Sequence, residues 1–160
     1  MMTRPVLILC LLWSLAGCAN LPGPTAAGGD LFKLQEQAAR NYQKKNYQAA
    51  LPLYTQLSKR VPGDALTWFQ LGNVQAHLKH PDAAIKAYRQ ALTLNPKLAR
   101  AWHNMGLIQL REAAATYTEM AANVPPVDPL QADALHKAQV LLQLLDVQVD
   151  KENADQPAMH

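Results

Sequence analysis

The chain has 160 residues, 49 % apolar and 17 % charged, with a formal net charge of +3. One domain of ordinary size fits this length. The composition excludes a chain disordered throughout and a polytopic membrane bundle.

Met1 to Arg4 is short and positive, and Pro5 to Ala16 is an apolar run. That run is too short to span a bilayer and has the proportions of a signal-peptide core. Leu15-Ala16-Gly17-Cys18 comes directly after it. These four residues resemble the lipobox of bacterial lipoproteins. The resemblance implies a signal at residues 1–17, removed by cleavage, and a diacylglyceride thioether on Cys18. At ~0.8 kcal/mol per buried CH₂, two or more acyl chains hold a protein on a membrane stably. No later apolar run has spanning length, so the expected body is soluble and tethered. The other cysteine, Cys10, leaves with the signal. A disulfide, a thiolate metal site and a cysteine nucleophile are then excluded from the mature domain. Residues 18–30 read as a lipidated N-terminus and flexible tether, rich in Pro and Gly. Asp30 is the expected N-cap of the first helix.

An internal period of 34 residues organises the rest of the chain. Trp68 and Trp102 are one period apart, as are Gly72 and Gly106. The same step relates Ala50 to Ala84, Tyr54 to Tyr88 and Pro62 to Pro96. Each unit reads as two antiparallel helices. Ala38, Gly72 and Gly106 are small where a neighbouring helix must approach, and both glycines are expected at crossings without room for a side chain. Tyr54 and Tyr88 lie four residues after Ala50 and Ala84, on the same helical face. Pro62 and Pro96 mark helix ends, and Pro81 suits a helix start. Pro52 falls inside a helix, where a local bend is expected.

Trp68, Leu71-Gly72, Ala84, Tyr88, Ala91 and Pro96 together resemble the tetratricopeptide repeat, TPR. The first unit carries the same pattern with Leu34 in place of Trp. The expected fold is all-α: a TPR solenoid of about two and a half repeats, with units at 31–64 and 65–98. A modified pair occupies 99–150. It starts on schedule with Trp102, Met105 and Gly106. It then departs, because Thr118 and Ala122 stand where Ala84 and Tyr88 stood. A helix from Arg100 to about Ala122 is expected, then a turn at 124–129 capped by Asp128. The last helix should bury a stripe of Leu130, Ala134, Ala138, Leu141 and Leu145 and run to about Asp150. Residues 151–160 are expected as a tail.

Nothing in the sequence has the form of an active site. His77, His80, His103, His136 and His160 lack metal-ligand spacing, and no phosphate loop or nucleophile elbow occurs. No enzyme activity, cofactor or metal is expected. His77 and His80 read as solvated residues near a helix end. The tyrosines at 42, 47, 54 and 88 read mostly as core. Charge divides unevenly. Residues 31–111 hold twelve Lys/Arg and three Asp/Glu; residues 112–160 hold two and eight. Such an array could steer an acidic protein segment.

The TPR resemblance implies a protein-binding face made by the first helices of the units. Aligned to it are Tyr42, Phe69, Asn73, His77, Arg100, His103, Asn104 and Arg111. Asn73 and Asn104 resemble the asparagines of TPR grooves that clamp a terminal carboxylate, but Phe69 replaces the lysine of those clamps. A groove for a helix or extended segment, with exposed Phe69 as anchor and Asn73 and Arg100 beside it, is the expectation. Small TPR lipoproteins of this layout resemble assembly and pilotin-like factors of Tad/Flp and type IV pili. The expected role is an adaptor in a bacterial envelope assembly, with a protein partner such as a secretin and no nucleic acid. Support of exopolysaccharide or cell-wall synthases is the alternative. Ala19 after Cys18, rather than Asp, points to the outer membrane and its periplasmic face.

Overall fold

A computed structural model describes residues 24–154, with side chains from 29 to 146. Cys18 and the signal segment lie outside the described residues. Six helices succeed one another: α1 (Pro24–Gln43), α2 (Tyr47–Arg60), α3 (Ala65–His77), α4 (Pro81–Leu94), α5 (Ala99–Asn123) and α6 (Pro129–Ala154). They form a solenoid of three antiparallel pairs, each stacked on the next. Among the described residues there is no strand, and no helix is long and apolar enough to cross a membrane.

Local chemistry sets the boundaries. The Asp64 carboxylate accepts from the backbone N–H groups of Leu66 and Thr67 and from the Thr67 hydroxyl, capping α3. Pro81 opens α4, where its missing N–H leaves no gap. Asp128 accepts from Leu130 N–H at 2.9 Å and starts α6, as expected. The first helices of the two regular pairs end alike. Asn46 N–H donates to Asn41 C=O, and His80 N–H to Gln75 C=O. Lys45 and Lys79, one period apart, take φ of 57° and 62° to close these ends, a conformation usually left to glycine.

Two tryptophans tie successive pairs together. Trp68 Nε1–H donates to Pro62 C=O at 2.9 Å, and Trp102 Nε1–H to Pro96 C=O at 3.0 Å. The proline thus ends one pair while its carbonyl anchors the next. The six-residue spacing is visible in the sequence of both units; its hydrogen bond is not.

The core has two parts. Leu34, Ala38, Ala50, Tyr54, Leu57, Leu71 and Val74 join α1, α2 and α3. Phe69, Ala84, Tyr88, Ala91, Met105 and Ile108 join α3, α4 and α5. Helix α3 stands between them and buries two faces. The α5–α6 seam differs: its buried residues are Ala114, Ala121, Ala134, Ala138 and Leu145. Small side chains bring these helices close but remove little apolar area from water.

Several expectations need correction. Helix α1 begins at Pro24 rather than after Asp30, so residues 24–30 are its first turns and Asp30 does not cap it. Pro24 suits a first helical position, and Thr25-Ala26-Ala27 admit helix. Helix α6 reaches Ala154, past the expected tail boundary. Of the expected α6 stripe, Ala134, Ala138 and Leu145 are buried, Leu141 is half-buried and Leu130 is exposed. Pro52 lies inside α2, which is helical on both sides of it, and its missing N–H leaves the Gln48 carbonyl without its usual donor.

The two glycines part company. A Cβ on Gly72 would stand 2.5 Å from the Tyr88 ring, so only glycine fits there. A Cβ on Gly106 would meet nothing within 4 Å, against expectation. The residue one period beyond Tyr88 is Ala122, and α5 runs straight on, so no tyrosine folds back onto Gly106. Gly72→Ala should therefore destabilise by about 1–3 kcal/mol through overpacking. Gly106→Ala should stabilise by up to about 1 kcal/mol through helix propensity. Thermal melts of both variants check this; two shifts of the same sign would contradict it.

Candidate protein-binding cleft

The helix pairs leave a cleft of about 290 Å³ across α1, α3, α4 and α5. Of the eight residues assigned to the groove, it gathers Tyr42, Asn73, His77, Asn104 and Arg111. Phe69, Arg100 and His103 do not line it. Arg100 and His103 are exposed near the start of α5. Lys79 and Ile108 were not assigned but do line it. Lys79 comes after α3 in the turn whose left-handed residue it supplies, one period after Lys45, outside the helix faces that the repeat pattern reads. Two further depressions continue the cleft. One, of about 280 Å³, runs past Pro81 and Ala115; the other, of about 350 Å³, lies between α5 and α6 at Leu142 and Leu145. Arg111 lines all three.

Phe69 is not an exposed anchor. It is 8 % exposed, with its ring 6.0 Å from that of Tyr88. An outward Phe69 requires α3 to have a single buried face, and it has two. In a stacked array, α3 packs against α1 and α2 through Leu71 and Val74, and against α4 and α5 through Phe69.

Asn73 holds the cleft floor together. Its Oδ1 accepts from the Tyr88 hydroxyl at 2.8 Å and from Asn104 Nδ2 at 2.9 Å. Its Nδ2 donates to Gln70 Oε1 at 3.1 Å. The two asparagines expected to face a ligand thus bond to each other and join α3, α4 and α5. Burial pushes the Tyr88 phenol up to about 12; a hydrogen bond with Asn104 acts the other way, and the Tyr42 phenol adds a smaller upward push.

At the α1 end, His77 stacks on Tyr47 with ring centroids 4.1 Å apart and planes 7° from parallel. Its Nε2 lies 3.4 Å from the Tyr42 hydroxyl. His77 stays exposed, as its position at the end of α3 predicts, and these ring contacts hold it at the edge of the cleft. Tyr54 and Tyr88 are core, whereas Tyr42 and Tyr47 are half-buried. Among the described residues, no group of three His, Cys, Asp or Glu side chains could hold a metal ion. The arrangement offers shape, hydrogen bonds and positive charge.

Phe69→Ala should destabilise by about 3–5 kcal/mol, as a buried aromatic truncation does, rather than leave the fold intact. Chemical denaturation measures this, and a loss under 1 kcal/mol would contradict the burial. Tyr88 sets an alkaline limit. Its folded pKa lies above the unfolded value of 10.0, so its contribution is complete below pH 10 and is lost as pH rises through 12. The loss is on the order of 2–3 kcal/mol. Tyr88→Phe should flatten the fall in stability over that window, leaving a remainder from Tyr54, whose phenol burial also raises. Melts from pH 9 to 12 would reveal it; equal slopes in the two proteins would contradict it.

Residues 65–98, which are α3, α4 and the turns around them, match the family model of the tetratricopeptide repeat. No curated protein matches the chain. The matched repeat and the stacked helix pairs on either side of it make this an all-helical array of a type that serves as a protein-interaction module rather than a catalyst.

Proposed function

We propose that this protein is a membrane-anchored adaptor of a bacterial envelope assembly, which holds a protein partner in the cleft between Tyr42 and Leu145. The observation that carries the binding part is continuity. Three depressions meet at Arg111, so one extended segment could run across α1, α3, α5 and α6. The anchor part rests on Leu15-Ala16-Gly17-Cys18 after a short apolar run. Acylation at Cys18 places the body at a membrane surface, and Ala19 favours the outer membrane, with the repeats in the periplasm. A small anchored repeat array has the layout of an assembly factor for a pilus or secretion system, one that brings a secretin or its neighbour to the right membrane.

Two measurements test this reading. Cys18→Ala should abolish labelling by a fatty-acid analogue and release the protein from the membrane fraction; unchanged label would defeat the anchor. A photo-crosslinking amino acid at Ala115, in the cleft, should give a discrete product in intact envelopes. The same group at Gln56, exposed on α2, should give none. Equal products at both positions would remove the cleft from the proposal.

A further inference from the structure

The partner's chemistry can be taken one step further, on the reading that the cleft binds a protein segment. The cleft is polar and positive at one end and apolar at the other. Lys79 and Arg111 line the stretch near α1 and α3, and no carboxylate lines it with them. Among the described residues the ion pairs are Arg40–Glu36 and Lys137–Asp133, so neither cation has a carboxylate partner. Glu112 enters only where the cleft turns toward Pro81.

Between α5 and α6 the lining changes to Ala114, Ala115, Leu142 and Leu145, beside Thr118 and Glu119. Leu142 is 49 % exposed, and Leu135, two helical turns earlier on the same side of α6, is 45 % exposed. An exposed leucine pair continuing a cleft wall offers apolar area to a ligand. The asparagines contribute less, since Asn73 Nδ2 is engaged by Gln70 and Asn104 Nδ2 by Asn73.

We propose that the cleft takes a peptide segment with acidic side chains at one end and apolar residues at the other. The carboxylates meet Arg111, with Lys79 beside it, and the apolar residues lie against Ala115 and Leu142. Arginine suits this task because its guanidinium can grip a carboxylate with two hydrogen bonds. The carboxylates are side chains rather than a chain terminus, because each amide of the asparagine pair that could grip a terminus already spends one of its two N–H donors within the protein.

Random twelve-residue peptides displayed on phage, selected against the full chain, test this. The recovered peptide is then made with a fluorescent label and an amidated C-terminus, and titrated by anisotropy. The expected binders carry Asp or Glu at one end and Leu, Ile, Val or Phe at the other. Arg111→Glu should weaken them at least tenfold and favour a twin peptide with Lys in the acidic positions. Leu142→Asp should weaken both peptides, with melting temperatures of both variants unchanged. Binding that lacks a charge preference and survives Arg111→Glu, yet is lost with Leu142→Asp, would overturn the acidic segment and leave the cleft as a protein site. Loss of binding on amidation would overturn the side-chain assignment. Peptides indifferent to both variants, or no selected peptide at all, would overturn this inference and the cleft together.

Discussion

The close approach of Tyr88 to Gly72 sets the geometry of the middle of the molecule. A ring lying where a Cβ would stand 2.5 Å away fixes the separation of α3 and α4. It also brings the Tyr88 hydroxyl to Asn73, and Asn73 then reaches Asn104 on α5. Three helices from two repeats thus depend on one missing side chain. The same tyrosine spans core and cleft: its ring packs with Phe69, and its hydroxyl lies in the polar floor. A buried phenol costs little when its hydrogen bond is made and much when it is not. That asymmetry ties the shape of the cleft to the stability of the core.

The third pair departs from this plan because it lacks the tyrosine. Its turn is missing as well: Ala114 and Ala115 stand one period beyond His80 and Pro81, so nothing stops α5 before Asn123. Alanines then let α6 lie close along it. The stacking surface that a regular repeat would have covered is left as a long flank, and the cleft extends along it. Loss of the turn together with the docking tyrosine leaves Gly106 open and lengthens the groove.

Much of this was legible in the chain. The 34-residue period, the prolines at helix ends and the alanines at 38, 50 and 84 located the helices to within a few residues, since each reports a local steric rule. Features that depended on a second layer of neighbours were not legible. Phe69 and Asn73 lie on a helix buried from two sides, and a single-face reading turned both outward. Gly106 copied the position of Gly72 without the partner that gives the position its meaning. The cleft was legible only in part: Tyr42, His77 and Arg111 came from repeat alignment. Lys79 has a register, one period after Lys45, but it lies in a turn outside the helix faces that the repeat pattern reads; the α6 leucines belong to a pair that breaks the repeat, so alignment had no register for them.

The tie between tryptophan and proline has a consequence for growth of the array. Each tie begins in one unit and closes in the next, at the same spacing both times. The turn after each first helix is built identically as well, with lysine in the left-handed position at both sites. A duplicated 34-residue cassette inserted after Asp64 would thus bring its own anchor, turn and docking tyrosine, and would need no new linker. The array is modular at its junctions, so a lineage could lengthen the cleft by in-frame duplication, while the alanine-seamed pair remained as the terminator.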